Sequence, residues 1–543
     1  MQDAESIVGG IQKSNPIWNH KKIYLDLFAA NKNAGGLSYP LVENEILQTM
    51  NSGTLVLNYT GHGNYSRLTE EAVINDQNMQ SWNNAGQLPL MITASCDFAP
   101  YDQPQLNPIG FSSLMKNNKG IIGLVAANRL VFAYSNKQIN EQFIQALMVN
   151  DNAGNYNTIG VALQKAKKIN WSLQGDKLNA FKFNLLGDPA LKLAYAKNTI
   201  QLTIKDSLVA GELSSIKGSV IKNQQLHSSF NGLVDRIVFD VVKEKTTLTN
   251  QSSSIKTTIL TRESILYRGK ATVTNGQFVL NFVLPKETSS TAGNLRIQAF
   301  AYNNIEDALG VNDQLFVKAP KFKNSIDTIG PIIQAYINDS NFTNNSWVSN
   351  NAKLMVRLKD SAGIQSSGNS LGHDLQLIID NNVQYPFVLN NYFIADLDTY
   401  QSGSIVFGLP NLSIGKHQLV IKAWDLLGNL SKDTLWCIVP ETNILMAKDL
   451  VNKPNPMNQF TQFSFDLNLQ DIGVETEFSL RNLNGQQLVN KVLTHKNISN
   501  KWVIDWDGRD QSGATIPPGF YIYTITIRSG SQIFVLSNKL IKL

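Results

Sequence analysis

Two short stretches of the sequence each place one reactive side chain at the end of an apolar run. In "GTLVLNYTGHGNYSRL" the run leads to His62, which stands between Gly61 and Gly63, and in "LPLMITASCDFAPYDQP" a second run ends at Cys96. A cysteine attacks as its thiolate and needs a nearby base or cation, and an imidazole serves as both before it returns the proton to a leaving amine. The two residue types therefore indicate nucleophilic catalysis on an acyl group.

The elements that must position these side chains lie in residues 1–197. Apolar runs without alternation ("KKIYLDLFA", "GTLVLNYT", "LPLMITASC", "KGIIGLVAAN") are separated by helical patterns such as "NEQFIQALMVN" and "TIGVALQKAKKIN". This order predicts an α/β domain whose parallel sheet is buried on both faces. In such sheets reactive groups collect beyond the carboxyl ends of the strands, where His62 and Cys96 both stand. If the two strands are neighbours, about 5 Å apart, the side chains meet across one cleft.

The glycines beside His62 have a predicted role in the same chemistry. Gly61 and Gly63 permit a turn with positive φ and a close approach of substrate. The backbone N–H groups of Gly63 and Cys96 would then face a developing oxyanion. The alternative is structural: a cysteine at a strand end is often a small apolar filler, and a GHG sequence is often only a turn.

Polar residues that follow the two strands are candidates for the substrate cleft. Asp97, Tyr101 and Asp102 follow Cys96 on a loop, where they either order the cleft or bind a cation, or are simply solvated. Asn128 and Arg129 end the next strand on the same side, where they either line the cleft or form a loop salt bridge. The chain order leaves both alternatives open at this point.

Other polar residues are assigned structural roles. Asp188 in "LGDPAL" is predicted to be a helix N-cap with proline at the first helical position. Five more histidines (His20, His227, His373, His417 and His495) have no cysteine or carboxylate cluster around them in the sequence that resembles a ligand set, so core or surface roles suffice for them.

After residue 198 the helical patterns almost vanish and short alternating strands such as "TIQLTI", "DRIVFDVV" and "GQFVLNFVL" take over. They predict three β-sandwich modules, at residues 198–325, 326–444 and 445–543. The first contains "KEKTTLTNQSSSIKTTILT", a hairpin or long loop, and the second closes with the hairpin "GKHQLVIKAWDLLGNLSKDTLWCIV". Trp424 and Trp436 of that hairpin are predicted to lie in the sandwich core. The third module ends in "DGRDQSGATIPPGFYIYTI", whose glycines and prolines punctuate tight turns.

Composition excludes several classes of protein. A net charge of +5 over 543 residues, without clustered Lys and Arg, argues against nucleic acid as a partner. The basic stretches "KNNKG" and "KAKKIN" are interpreted as solvated helix ends. Cys96 and Cys437 lie in segments of opposite character, which argues against a disulfide, and without a CxxC motif there is no zinc signature.

The N-terminal residues and the apolar runs bear on targeting. No run approaches the roughly 18 apolar residues of a membrane span, and residues 1–20 lack the pattern of a signal peptide. The stretch "DAESIVGGIQ" resembles the tail of a helix, which leads us to expect further sequence upstream.

Four motifs together resemble a known family. "NYTGHG", "MITASCDFAPYDQP", "GIIGLVAANRLVFA" and "FNLLGDPALKL" are similar, in order and spacing, to the second half of the caspase-like domain of gingipain-type cysteine peptidases. The following sandwiches, and an end similar to the FlgD-type Ig-like module, point within that family to the C-terminal signal peptidases, or sortases, of the type IX secretion system. The resemblance implies a caspase-like fold followed by Ig-like domains.

The resemblance also implies a function. His62 would be the general base and Cys96 the nucleophile of an enzyme at the extracellular face of the outer membrane. Its substrates would be secreted cargo proteins with C-terminal signal domains, its neighbours other secretion components, and anionic lipopolysaccharide an acceptor of the acyl group. No cofactor is implied, although related peptidases bind calcium, and no loop has EF-hand spacing. The alternative is a non-catalytic surface scaffold, and the sequence upstream of Met1 would discriminate between the two.

Overall fold

The computed structural model describes residues 1–33, 36–151, 154–172, 176–203, 207–251, 254–286, 288, 294–318, 327–340, 342–349, 352–368, 372–441, 445–468, 474–495 and 501–543. These residues form mostly β-strands, with few helices. The chain divides into two compact units: Met1–Ile326 with Ser361–Gly372 and Ile394–Gly403, and Asp327–Asp360 with His373–Phe393 and Ser404–Leu543. The predicted boundaries after residues 325 and 444 lie outside the described residues, and the division into four domains stays a prediction.

The N-terminal part of the first unit contains the helices. They are α1 (Gln2–Ser14), α2 (Pro40–Ser52), α3 (Asp76–Gln80), α4 (Ile109–Leu114), α5 (Ala133–Met148), α6 (Ile159–Ser172) and α7 (Lys177–Lys182). The strands of this part are β1 (Asn31–Asn33), β2 (Gly36–Ser38), β3 (Val56–Thr60), β4 (Gly63–Asn64), β5 (Arg67–Leu68), β6 (Ile74–Asn75), β7 (Leu90–Ala94), β8 (Gly123–Ala127) and β9 (Phe183–Leu186).

The central sheet has the order β3-β7-β8-β9, in which the first three strands are parallel. Every residue of β7 and β8 is buried, which explains why these strands show no alternation. One face of the sheet packs against α1, α5 and α6, and the other against α2, α3 and α4. The predicted parallel pairing is therefore confirmed for β3, β7 and β8, in a sheet that is covered on both faces.

Two predictions for this part are wrong. "KKIYLDLFA" is not a strand, because within it the chain forms only a short 3-10 helix at Leu25–Leu27. The fourth strand of the sheet is instead β9, which runs antiparallel to β8. Asp188 does not begin a helix: its carboxylate accepts the Ala190 N–H at 2.8 Å, and Leu191 N donates to the Asp188 carbonyl at 3.2 Å. The side chain thus caps a turn, a structural role as expected.

The remainder of the chain is built from strands. They are β10 (Asn198–Thr203), β11 (Leu208–Val209), β12 (Leu213–Lys222), β13 (Gln225–Leu226), β14 (Gly232–Phe239), β15 (Lys243–Thr246), β16 (Thr258–Thr261), β17 (Ile265–Val273), β18 (Gln277–Val283), β19 (Leu295–Tyr302), β20 (Asp307–Leu315), β21 (Val317–Lys318), β22 (Ile332–Ile337), β23 (Ser346–Trp347), β24 (Lys353–Lys359), β25 (Gln376–Ile379), β26 (Phe387–Val388), β27 (Phe393–Leu397), β28 (Ser402–Gly408), β29 (Gly415–Trp424), β30 (Leu430–Val439), β31 (Ala447–Lys453), β32 (Thr461–Leu467), β33 (Val474–Asn482), β34 (Gln487–His495), β35 (Lys501–Trp506), β36 (Gly519–Ser529) and β37 (Gln532–Lys542).

The β-rich part of the first unit begins at β10 and contains strands in the order β13-β12-β10-β20-β19-β14-β17. Its Ser/Thr/Lys-rich stretch forms the antiparallel hairpin β15–β16, as one of the two alternatives predicted. The loop of this hairpin contacts the α/β part, because Leu248 N donates to Asp26 O at 2.7 Å and Asn250 Nδ2 donates to Phe28 O at 2.8 Å.

In the second unit, β29 and β30 form the predicted closing hairpin of a sheet ordered β23-β30-β29-β25-β26. The prediction that its tryptophans lie in the core is wrong. Burial alternates along both strands and places Leu419 and Cys437 inside, whereas Trp424 and Trp436 are half-buried on the other face. There Trp424 meets the His373 ring edge-to-face at 4.3 Å.

The last hundred residues contain two sheets, β31-β32-β35 and β34-β33-β36-β37, which share one hydrophobic core. Phe463, Phe478 and Tyr523 meet in it, with ring centroids 4.5 to 4.7 Å apart. The predicted turn chemistry is present, since Asp510 accepts the N–H groups of Ser512 and Ala514 while Gly513 adopts a φ of 84°. Within the described part of the chain, no helix is long and apolar enough to cross a membrane.

Candidate active site

The strand register brings the His62 and Cys96 segments side by side. Strand β3 pairs with β7 from Val56↔Leu90 to Thr60↔Ala94, so that His62 and Cys96 each lie two residues beyond the last pair. The pairing continues past the strand ends, because Gly61 N donates to Ala94 O at 3.4 Å. The two candidate residues therefore occupy equivalent positions on adjacent strands.

The His62 loop is fixed by bonds to its backbone. The His62 carbonyl accepts the Tyr59 hydroxyl at 2.6 Å and the Thr69 N–H at 3.0 Å. Burial raises the pKa of Tyr59, so its hydroxyl remains a donor at neutral pH. A Cβ on Gly61 would lie 2.6 Å from that hydroxyl oxygen, so only glycine allows the Tyr59 ring to pack against the loop.

Gly63 brings the His62 loop against the Cys96 loop. A Cβ at this position would lie 2.8 Å from Leu68 Cδ2 and 3.2 Å from both Cβ and Oγ of Ser95. The prediction of a positive φ is wrong for Gly63, which lies in the extended strand β4. The residue is needed for close packing.

The same glycine presents a backbone donor. Thr69 N donates to His62 O, so Gly63 and Leu68 form the next, non-hydrogen-bonded pair of the β4–β5 ladder. The Gly63 N–H consequently points away from β5. Within the described residues, the Cys96 N–H has no backbone acceptor. The β4–β5 ladder therefore does not use the Gly63 N–H, and among the described residues no backbone carbonyl accepts the Cys96 N–H.

The Cys96 side chain is half-buried at the end of β7. Its thiol donates to Val131 O at 3.5 Å and packs at the edge of the cluster formed with α5. In the described part of the chain, the His62 ring makes no hydrogen bond with this thiol, and the ring itself is exposed. Catalytic hydrogen bonds are often long or poorly aligned in structures without a ligand.

The backbone turns sharply after Cys96. Asp97 has a φ of 43°, in the left-handed region, and its N–H donates to Arg129 O at 3.3 Å. Such a conformation costs about 1–3 kcal/mol in a non-glycine residue and persists only where the surrounding structure enforces it. Here the loop after β8 supplies that constraint.

Hydrogen-bonded side-chain amides position the end of β3 and the thiol acceptor. Asn58 and Asn140 exchange side-chain hydrogen bonds of 3.0 and 2.9 Å, and Asn140 also donates to Thr60 Oγ1 at 3.3 Å. Asn58 and Thr60 thus face α5, the side on which Cys96 packs. Farther along, Asn179 Oδ1 accepts the Phe132 N–H at 3.2 Å, next to Val131. The analysis of the sequence missed these amides, although a lone Asn inside "GTLVLNYT" was a signal for a buried polar partner.

Two of the five candidate cleft residues are bonded to each other, and the other three are not part of this pair. Asp102 and Arg129 form a two-pronged salt bridge of 2.9 and 2.5 Å, the structural alternative considered for Arg129. The guanidinium holds the pKa of the Asp102 carboxyl below its usual range. Tyr101 is exposed, and Asn128 donates its N–H to Lys182 O at 3.0 Å. With Asp97, all five lie on the loops after β7 and β8, but their contact with a substrate stays a prediction.

A second cysteine and histidine are paired in the other unit. His417 lies opposite Cys437 in the β29–β30 register, a neighbour that the sequence analysis missed. Both ring nitrogens of His417 are occupied, by the Asp380 carboxylate and by Ser413 O, each at 2.7 Å. Burial lowers the pKa of this histidine, but the two hydrogen bonds outweigh it and raise the pKa overall. Burial also raises the pKa of the Cys437 thiol to about 12, so this pair is structural.

Carboxylates that could hold a cation occur in the second unit. One oxygen each of Asp327, Asp360 and Asp425 lies within 4.8 Å of the others, and oxygen ligands are those that Ca²⁺ prefers. The Asp425 carboxylate already accepts Leu427 N at 2.9 Å and Asn429 N at 2.7 Å. Asp360 and Asp425 are buried and Asp327 is half-buried, and calcium remains an expectation.

The solved structures that resemble this chain include two of proteins from Porphyromonas gingivalis. Dimeric latent PorU is 24% identical, with 79% of this chain and 41% of that chain covered and a TM-score of 0.29. The complex of RgpB pro- and mature domains is 14% identical, with 58% and 63% covered and a TM-score of 0.30. This chain thus spans less than two thirds of either, and TM-scores this low carry no argument about function.

Two further comparisons concern the sequence. Among curated proteins no match is found. The model of peptidase family C25 matches the α/β part, including both His62 and Cys96, and ends before β10. Residues 1–194 of this chain match peptidase family C25, the gingipain family.

Proposed function

We propose that the α/β part of this chain is the site of a cysteine peptidase, with Cys96 as nucleophile and His62 as general base. The observation that carries the proposal is the β3–β7 register, which sets the two residues at equivalent positions just beyond paired strand ends. The match of residues 1–194 to peptidase family C25 supports it. In this proposal the sheet and its helices are a caspase-like arrangement, and the later modules are Ig-like, the last of them FlgD-like.

The reaction begins with transfer of the Cys96 proton to the His62 ring. For this the thiol leaves Val131 O and turns toward the imidazole. The thiolate sulfur then attacks the scissile carbonyl carbon and forms a C–S bond. The imidazolium returns the proton to the amine nitrogen as the C–N bond breaks, and a thioester remains on Cys96.

Charge that develops on the carbonyl oxygen meets the N–H groups of Gly63 and Cys96. Each such donor is worth about two to three orders of magnitude in rate when it is aimed at the oxyanion. The left-handed backbone at Asp97 supports this role, since strained residues cluster where a reactive side chain must be held in place. The thioester is then attacked by water, or by an amine in a transpeptidation.

The biological context rests on the sequence motifs that resemble the C-terminal signal peptidases of the type IX secretion system, and it is part of the proposal. The enzyme would act at the extracellular face of the outer membrane, within the type IX secretion system. Its substrates would be cargo proteins that carry C-terminal signal domains, and an amine of anionic lipopolysaccharide would accept the acyl group as in a sortase reaction.

A non-catalytic surface scaffold is the second candidate. It is favoured by the hydrogen bond of the Cys96 thiol to Val131 O, because among the described residues the thiol is bonded to this carbonyl and not to the His62 ring. In that case the β-rich modules would bind other secretion components, and neither His62 nor Cys96 would affect cargo.

The test replaces residues in the protein as the cell makes it. Cys96→Ala and His62→Ala should each reduce release of C-terminal signal domains from cargo by at least about a thousand-fold, and the double variant should be scarcely slower than either. The measurement is the mass of cargo at the cell surface, with the amount of each variant followed by immunoblot.

Cys437→Ala is the matched control, because this thiol is buried in the β29–β30 hairpin. It should leave cargo processing unchanged. Normal cargo maturation in the Cys96→Ala strain would refute nucleophilic catalysis by this residue and leave the scaffold candidate.

A further inference from the structure

A groove of about 500 Å³ lies beside α6, against the edge strand β9 and the turn that follows it. We call it the α6 groove, and the side chains that give it its chemistry are Leu163, Gln164, Lys167, Lys168, Trp171 and Leu185. It shares no residue with the candidate active site. Its volume lies within the range of about 300–1,000 Å³ typical of small-molecule sites.

The wall of the groove is fixed by close packing of α6 on the turn. A Cβ at Gly160 would lie 2.6 Å from Pro189 Cβ, so only glycine allows this approach. The backbone fastens the contact, since Gly160 N donates to Pro189 O at 3.0 Å and Ile159 N donates to Leu191 O at 2.9 Å. The groove is therefore a consequence of the fold and not of a single side-chain rotamer.

Two lysines give the groove a positive charge that the chain itself does not balance. The stretch "KAKKIN" was expected to be a solvated helix end, but Lys167 is half-buried, and burial lowers its pKa. Within the described residues, neither Lys167 nor Lys168 forms a salt bridge, whereas Lys137 one helix earlier has two carboxylate partners. A half-buried ammonium without a counter-charge is unfavourable, and an anion in the groove would relieve it.

Apart from Gln164, the rest of the lining is apolar and partly open to solvent. Trp171 leaves 47% of its surface exposed, and Leu163 and Leu185 lie along the same groove. The indole is held in place, because the Lys177 Nζ lies 4.7 Å over it and Phe181 meets it edge-to-face at 5.4 Å. A ligand thus meets cations beside an apolar wall.

We propose that the α6 groove binds a free anionic amphiphile, a single acyl chain with a carboxylate. Its carboxylate would pair with Lys167 and Lys168, and its chain would cover Leu163, Trp171 and Leu185. The charge complementarity selects this class, because a neutral apolar ligand leaves the lysines unbalanced and a fully polar anion leaves the indole uncovered.

The experiment measures binding of sodium decanoate to the purified chain by isothermal titration calorimetry, with decanoate kept below its critical micelle concentration. Saturable binding near one decanoate per chain is expected, with decanol and decyltrimethylammonium at least about ten-fold weaker. Lys167→Met keeps most of the aliphatic stem and removes the charge, and should weaken decanoate binding about ten-fold or more. Trp171→Ala, at an exposed position, should also weaken it.

Lys165→Met is the matched control, because Lys165 lies on the same helix and donates to Asn157 Oδ1 outside the groove. It should bind decanoate like the unaltered chain. Equal affinity in Lys167→Met, an equal loss in Lys165→Met, or no preference for decanoate over decanol would each overturn the proposal. Co-sedimentation with phosphatidylglycerol vesicles in the absence of saturable decanoate binding would assign the patch to membranes instead.

Discussion

Gly63→Ala should separate the loop that carries His62 from the loop that carries Cys96. The added methyl would lie 2.8 Å from Leu68 Cδ2 and 3.2 Å from Cβ and Oγ of Ser95, which is closer than side chains normally approach. Leu68 and Ser95 are both almost fully buried, so neither can move aside freely. Overpacking of this kind costs about 1–3 kcal/mol, which corresponds to an opening equilibrium about 5- to 150-fold more favourable.

Hydrogen–deuterium exchange measures this change locally, which suits a chain of two compact units that need not unfold in one step. Peptides covering residues 61–69 and 95–99 should exchange faster by that factor in Gly63→Ala. Gly10→Ala is the matched control, because Gly10 is exposed on α1 and its added methyl meets nothing within 4 Å. Exchange at residues 61–69 that is unchanged in Gly63→Ala would refute the inference that this glycine holds the two loops together.

Three further predictions concern other parts of the chain. Residues 445–543 should unfold cooperatively when expressed alone, as followed by circular dichroism during heating, since their two sheets enclose a core of their own; a gradual loss of signal would contradict this. Iodoacetamide at pH 7.5 should label Cys96 in the folded chain, as measured by peptide mass. Cys437 has a pKa of about 12 and should react about three orders of magnitude more slowly than an ordinary cysteine. Comparable labelling of the two cysteines would be evidence against the burial of Cys437. Glu306→Gln should make the free energy of unfolding depend less on pH in the acid range, because hydrogen bonds from Lys222, His227 and Asn198 lower the pKa of Glu306 to about 2. The stabilisation by Glu306 is present above the unfolded pKa near 4.5 and is lost as the pH falls toward 2. An unaltered dependence on acid pH would contradict the argument.

The arrangement of the α/β part could be predicted because its signal is strong. Strands β7 and β8 are buried on both faces, and unbroken apolar runs are the direct consequence. The run "KKIYLDLFA" misled because its apolar residues are only half-buried, packing at the rim of the cluster on the α2 side rather than within the sheet. Periodicity alone does not distinguish such a segment from a strand.

The candidate site could be predicted only in part, since the sequence shows residue types but not their hydrogen bonds. His62 and Cys96 were found because each follows an apolar run. The acceptor of the thiol could not be found, because Val131 acts through its backbone carbonyl, which carries no sequence signal. The role of Tyr59 could not be predicted either. Its hydroxyl donates to the carbonyl of His62, three residues ahead, but in the sequence Tyr59 looks like an ordinary aromatic residue of a strand.

The two cysteine–histidine pairs show why proximity alone does not identify a catalytic site. His417 and Cys437 are direct partners in a strand register and even have an aspartate beside the ring, yet both ring nitrogens are bonded and the thiol is buried. A base needs an unoccupied nitrogen, and a nucleophile needs a route to substrate and a stabilised thiolate. His62 is exposed and Cys96 half-buried at the open end of the sheet, so this pair has the access that the hairpin pair lacks. The same two residue types therefore stabilise a β-hairpin in one unit and leave room for the proposed chemistry in the other. The difference lies in whether the ring nitrogens are already occupied and whether the thiol is buried.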